Sequence, residues 1–250
     1  MPNIAMVAAL EREIGGLIKN WTRIQRDYAG REFTFFERDN MVAVCGGIGT
    51  EAARRAAEAV IGVYHPTHLQ SVGFAGALHP GLRVGDIFLP AVVVDARDGS
   101  RTEIEAGDGI LVTFMDVAGA EQKGRLAEAY GACAVDMESA AVAAAARAHG
   151  ITFGVTKAIS DDLGFEMPSM ARFIDAEGQF KTASFVSFSA LRPWMWKPVI
   201  MLARNSRKAT QKLSAYLKCF RRTLHPPVIP APAPSSITAA ANALRSGGRE

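Results

Sequence analysis

Acidic residues and glycines recur in this sequence directly after its apolar runs. Glu11 and Glu13 follow the run at residues 4–10, and Gly46-Gly47-Ile48-Gly49 follows 41–45. Gly73-Phe74-Ala75-Gly76 continues the run that starts at 69, Asp136-Met137-Glu138 follows 134–135, and Ser160-Asp161 ends the run at 153–159. Carboxylates placed this way can take or give a proton at a reacting group. Each feature alone has a plain explanation. A glycine turn is a tight connection, and a carboxylate at a helix start complements the helix dipole. The joint pattern is different: acids end three separate runs, with two glycine turns between them in sequence. In an open α/β sheet, ligands collect at the carboxyl ends of the strands, where all five features would fall.

The elements that must hold these residues alternate. Strands are predicted at 4–10, 69–73, 86–94, 110–114, 134–135 and 153–159, with a hairpin of 33–36 and 41–45 around Arg38-Asp39-Asn40. Helices are predicted after Leu10, at 51–64 with Thr50 as N-cap, at 120–130, and from Ser139 to His149. Residues 95–109 read as polar loop. Alternation of this kind predicts a mostly parallel sheet covered by helices. From Leu163 the pattern changes. Arg192-Pro193-Trp194-Met195-Trp196-Lys197-Pro198 is expected to break any helix, and 199–220 is helix-like with Leu213, Tyr216, Leu217 and Phe220 on one stripe. The Pro- and Ala-rich end reads as a disordered tail.

With 250 residues, 49% of them apolar, the chain is long enough for one large α/β domain and an appendage. The net charge of +3 hides an asymmetry: residues 1–191 hold 24 acidic and 17 basic residues, whereas 192–222 hold nine basic and no acidic ones. Three cysteines without CxxC spacing argue against a disulfide framework or zinc site and fit a reduced cytoplasmic setting. The histidines are scattered, so no metal is expected. There is no basic leader at residue 1 and no apolar run approaching the ~20 residues that span a bilayer.

Gly47-Ile48-Gly49-Thr50-Glu51-Ala52 fits the G-x-G-x-x-A of dinucleotide-binding folds. That fingerprint needs an acid at the end of the next strand to hold the ribose, and Ser71-Val72-Gly73-Phe74 supplies none.

Taken in order, Ala8-Ala9-Leu10-Glu11-Arg12-Glu13, Gly47-Ile48-Gly49, Val72-Gly73-Phe74-Ala75-Gly76, Val84-Gly85-Asp86-Ile87, Val135-Asp136-Met137-Glu138-Ser139-Ala140 and Ala158-Ile159-Ser160-Asp161 resemble the signature of the purine nucleoside phosphorylase and methylthioadenosine/S-adenosylhomocysteine nucleosidase superfamily. The likeness covers roughly residues 3–165. It implies a three-layer α/β/α sandwich with a mixed central sheet, over residues 1–190, followed by a basic Trp-containing helix at 191–222 and a tail at 223–250. It implies an enzyme that cuts the bond between a purine and its sugar, without a cofactor, acting on a small-molecule nucleoside rather than nucleic acid, as a homo-oligomer (dimer or higher). By position, Asp161 would protonate or hydrogen-bond N7 of the purine, supported by Ser160 and distant from any evident basic partner. Met137 and Glu138 would lie under the ribose, Glu13 would activate water, and the Gly47–Gly49 turn would aim N–H groups at the nucleophile. The chemistry demands such groups: a purine leaves badly as an anion, and the sugar becomes cation-like.

The sequence also departs from that pattern. Phe74 stands where many relatives carry a phosphate-touching serine, Lys157 where the hydrolytic nucleosidases carry arginine, and the stretch between Val94 and Ile110 is short, leaving Phe114 or Val117 to reach the base. Glu13 and Phe74 favour water as nucleophile and Lys157 leaves phosphate open. The short middle, Lys157-Ala158-Ile159-Ser160-Asp161 and the Trp-rich basic end are similar to the hopanoid-associated phosphorylases, which would make adenosylhopane the alternative substrate. Two outcomes are open for 192–222: contact with an anionic membrane face, or an apolar stripe packed on the acidic body.

Overall fold

The central strand β1 (Ile4–Ala8) is buried along its whole length, and its side chains alternate between two layers. Ala5 and Val7 pack with α2 (Thr50–Tyr64) and α4 (Ser139–Ala148). Ile4, Met6 and Ala8 pack on the opposite face with Ile14, Leu17 and Ile18 of α1 (Glu11–Ile18). This period of two sandwiches the sheet between helices. The computed structural model describes residues 2–165, 173, 175, 178, 180, 181, 184, 185, 188 and 193–224, the side chains of 193–195 and 220–224 excepted. The expected tail therefore lies, from residue 225 on, outside the described residues. The chain divides into two units, Met1–Lys218 and Cys219–Glu250.

The remaining strands are β2 (Thr22–Tyr28), β3 (Arg31–Arg38), β4 (Met41–Cys45), β5 (His68–Ala77), β6 (Ile87–Phe88), β7 (Val92–Asp95), β8 (Arg101–Glu103), β9 (Ile110–Thr113), β10 (Ala134–Asp136) and β11 (Thr152–Asp161). They form one mixed sheet, with path β2-β3-β4-β1-β5-β10-β9-β7-β8, while β11 pairs with β5 and β6. The sandwich with a mixed sheet is as expected.

Some local expectations needed correction. Residues 86–94 make two short strands rather than one, because Pro90 has no N–H to continue a ladder. Within the expected loop at 95–109, β8 pairs antiparallel with β7. The first strand of the meander, β2, is largely exposed and polar, so no alternation betrayed it. The helix α5 (Pro193–Leu224) runs through Pro198. Pro193 occupies its first position, where no amide is needed, and Pro198 removes only one bond near that end.

One feature of the sheet makes the site. On one edge, β5 pairs with β1 as far as Ser71, opposite Val7. The same strand pairs with β10 at Gly76 and Ala77. Between them β1 and β10 part, and a cleft opens along Gly73-Phe74-Ala75.

Candidate functional site

The cleft is a cavity of about 510 Å³, a size suited to a small organic ligand. Its floor comes from strand ends: Ala9 and Leu10 after β1, Phe74 to Gly76 of β5, Val135 to Glu138 at β10, and Ser160 and Asp161 of β11.

One end of the cavity carries a buried charge cluster. Glu13, in the first turn of α1, is 7% exposed, and its Oε2 has no hydrogen-bond partner among the described residues. That oxygen lies over Gly73, where a Cβ would come within 2.7 Å of it; Lys157 Nζ would be 3.7 Å from the same point. Gly73 has φ +148, so glycine is required there twice over. Asp136 is satisfied on both oxygens, by Thr113 Oγ1 at 2.7 Å and by Lys157 Nζ at 2.9 Å and the Ser139 N–H at 3.0 Å. Glu138 accepts the Gly49 N–H at 3.0 Å and the Met137 N–H at 3.3 Å. Three carboxylates thus share one ammonium, and the proton affinities follow. Burial, then the charge of Glu138, pushes Glu13 up from 4.5 to about 7 against the pull of Lys157 and Arg12. Burial, then Asp136, also raises Glu138, with Lys157 opposing. Burial opposes the charged form of Lys157, but Asp136 and Glu138 outweigh it and hold the ammonium above its usual value. An excess of buried negative charge beside the cavity suits a cation that develops during reaction.

The other end is built on Asp161. Its Oδ1 accepts the Ser160 hydroxyl at 2.5 Å, and its Oδ2 forms an ion pair with Lys123 Nζ. Lys123 also donates to the Asp162 carbonyl at 2.6 Å. The expectation that Asp161 has no basic partner is therefore overturned. Lys123, from α3 (Ala120–Tyr130), stands 12 positions before the next motif, which begins at Val135, and reaches Asp161 only through the fold. A signal was present: Lys123 occupies the inward stripe of α3 with Leu126, where an apolar residue is the rule.

The wall between the ends is mostly apolar, with Arg12, Asp116 and Arg207 also bordering the cavity. Ile48, Val117, Phe180 and Phe185 contribute, and α5 supplies Val199, Leu202, Ala203, Ser206 and Thr210 at helical spacing. Arg12 lies over the ring of Phe180, 5.4 Å from its centroid. Lower on α5, Ala209, Leu213 and Leu217 are fully buried against α1 and β1.

A profile of the phosphorylase superfamily matches residues 3–123 and 107–190. The chain belongs to the phosphorylase superfamily. Among its curated relatives is the 5′-methylthioadenosine/S-adenosylhomocysteine nucleosidase of Bacillus pumilus (strain SAFR-032), 29% identical over 208 residues, which span 65% of this chain and 87% of that one. Solved structures of superfamily fold include the 5′-methylthioadenosine nucleosidase of Arabidopsis thaliana (TM-score 0.68, 17% identity, 91% of this chain and 98% of that one). The futalosine hydrolase of Helicobacter pylori is also similar (TM-score 0.62, 18% identity, 87% and 97%).

Of the residues singled out in the sequence, Glu13, Phe74, Met137, Glu138, Ser160 and Asp161 border the one cavity, as does Val117. Four do not. Phe114 packs with the cluster around Val112 and Leu126. Lys157 sits behind the wall, on Asp136. The Gly49 N–H is taken by Glu138 and the Gly47 N–H by the Ala9 carbonyl at 2.9 Å. The turn therefore holds a carboxylate rather than presenting its amides to an incoming nucleophile. That use also answers the dinucleotide fingerprint. Among the described residues no cluster is placed to hold a metal ion, and no helix is long and apolar enough to cross a membrane.

Proposed function

We propose that the protein cleaves the N-glycosidic bond of an adenine nucleoside by hydrolysis, on substrates of the methylthioadenosine and S-adenosylhomocysteine type. The observation that carries this reading is the opposition of Glu13 and Glu138 to Asp161 across one cavity. A nucleoside laid between them has its sugar at Glu13 and Glu138 and its base at Asp161. Glu138 binds the ribose hydroxyls with Met137 beside the ring, Glu13 takes a proton from water attacking C1′, and the carboxylate cluster stabilises the cation-like sugar. The Bacillus pumilus relative bears the name of that activity. Water is favoured over phosphate because Lys157, the residue that kept phosphate open, is committed to Asp136, and Phe74 gives an anion no donor.

The test is adenine release from methylthioadenosine, S-adenosylhomocysteine, adenosine and a lipid-linked adenosine such as adenosylhopane, with and without phosphate. Release is expected without phosphate. Strict dependence on phosphate with accumulation of a sugar 1-phosphate would reverse the choice of nucleophile. Asp161→Asn is expected to lose about 10²–10⁴ in turnover; near-wild-type turnover would remove Asp161 from the reaction.

A specific observation favours a second reading, in which the substrate is lipid-linked and the enzyme works beside a membrane. Trp196, Ile200 and Met201 are 52%, 58% and 43% exposed on α5, in the same turns whose Val199, Leu202 and Ala203 line the cavity. An apolar substituent leaving the cavity along α5 would meet these side chains.

A further inference from the structure

An α-helix leaves its first N–H groups without partners inside the helix, and the side chain of the N-cap residue is their usual acceptor. Helix α4 departs from that rule. Glu138 holds its N-cap position, with φ −130, yet the side chain makes no capping bond. It turns instead to the Gly49 amide and into the cavity. Two residues from the ends of neighbouring strands cap the helix in its place. Asp136 Oδ2 accepts the Ser139 N–H at 3.0 Å, and Thr113 Oγ1 accepts the Ala140 N–H at 3.0 Å.

Thr113 is suited to this place because a hydroxyl both accepts and donates. It takes the Ala140 N–H and gives its own proton to Asp136 Oδ1 at 2.7 Å. It ends β9 directly opposite Asp136 in the parallel pairing with β10, and it is 1% exposed. Lys157 closes on the other oxygen of Asp136 at 2.9 Å, and the Ser71 hydroxyl of β5 meets that of Ser139 at 2.9 Å. Four strands thus fix the start of α4. Thr113 is uncharged and does not border the cavity. Its neighbours in β9 are Ile110, Leu111 and Val112, so a valine would suit the strand equally well, and only the hydroxyl separates the two.

We propose that Thr113 is a positioning residue for the sugar: by capping α4 in place of Glu138, it frees the Glu138 carboxylate to hold the ribose hydroxyls. This rests on the reading of the site as a nucleosidase whose Glu138 binds ribose. Without the hydroxyl, the Ala140 N–H would be buried and unmet, a loss that helices avoid. Ala140 is the second residue of α4, and an N-cap side chain reaches the amide of the second or third. The carboxylate of Glu138 would then be drawn back toward its own helix and away from the sugar. Thr113 touches neither the base nor the attacking water, so its effect passes through Glu138 alone.

The experiment measures adenine release from adenosine and from 2′,3′-dideoxyadenosine, which has no ribose hydroxyl for Glu138 to hold. It compares wild type, Thr113→Val, Thr113→Ser, Glu138→Gln, and Thr113→Val combined with Glu138→Gln. If wild type cleaves no purine nucleoside, or Glu138→Gln costs nothing on adenosine, the reading of the site fails before that of Thr113. Given both, Thr113→Val should lose about 10–100-fold in kcat/KM on adenosine and less than about threefold on the dideoxy substrate. In the Glu138→Gln background it should likewise cost less than about threefold on adenosine, which decides the matter where the dideoxy substrate turns over too slowly to measure. Thr113→Ser keeps the hydroxyl and should stay within about threefold of wild type. Equal losses on both substrates, or losses that add in the double variant, would mean that Thr113 only supports the structure. No loss on adenosine would remove it from the reaction; each of these overturns the proposal. Thr113→Ala removes the same hydroxyl and stands in if the Val variant does not fold. If neither folds, the hydroxyl serves the fold alone and the proposal falls.

Discussion

Glu13 binds its proton more tightly in the folded protein than in the unfolded chain, because burial and the neighbouring Glu138 disfavour its charge. Its ordinary value of 4.5 becomes about 7. The stability this adds is complete below pH 4.5 and is lost as pH climbs through about 7, an amount of roughly 3 kcal/mol. The ionised form that neutral pH restores is the one able to take a proton from water. Two results should follow from Glu13→Gln. Hydrolytic turnover falls by about 10²–10⁴, and the melting temperature declines less between pH 5 and 8 than that of wild type. In the wild type, kcat should rise with pH through about 7. A melting profile unchanged by the substitution would show that Glu13 is not the strained group. Glutamine is the informative choice because it keeps the size of the side chain and cannot ionise.

At the scale of elements, α5 does two jobs with one surface. Its earlier turns wall the cavity through Val199, Leu202 and Ala203, and its later turns pack Ala209, Leu213 and Leu217 into the core formed with α1 and β1. The approach to α1 is close: a Cβ on Gly16 would stand 2.6 Å from Ser214 Oγ. Of the two outcomes open for the stripe of α5, Leu213 and Leu217 therefore belong to the body. Leu213→Ala should cost about 2–5 kcal/mol in a denaturant titration, the range for a buried leucine whose neighbours cannot collapse. A loss under about 1 kcal/mol would show that α5 is not part of the core. The same reasoning rules out deleting α5 to test membrane contact, since the deletion would open both the core and the cavity.

For the whole molecule, the charge asymmetry remains after this packing. Arg204, Arg207, Lys208, Lys212 and Lys218 are exposed along α5, the helix that also exposes Trp196, Ile200 and Met201 in its earlier turns. Basic and aromatic side chains together suit an anionic membrane face. Replacing Trp196, Ile200 and Met201 by serine spares the buried stripe, so it tests the second reading cleanly. Wild type should sediment with anionic vesicles at low salt and not with neutral ones, and the triple variant should stay in the supernatant. Wild type that stays in the supernatant under all conditions would leave only the first reading.

The sequence by itself determined the layers and most of the floor of the site. Apolar runs and the helices between them are local patterns of spacing, and the glycines and acids that follow the runs must lie at strand ends. That is why Glu13, Glu138 and Asp161 could be named together before any contact was known. What only the tertiary structure decided depends on partners far apart in the chain. Lys123 belongs to no motif, and its role appears only where β11 brings Asp161 against it, 38 residues away. Lys157 looked like a ligand for phosphate until β10 set Asp136 behind it. Gly49 matched a phosphate-binding turn until Glu138, 89 residues on, took its N–H. In each case the residue type was legible and its role was not, because a charge or a donor acquires its function from whatever is buried beside it.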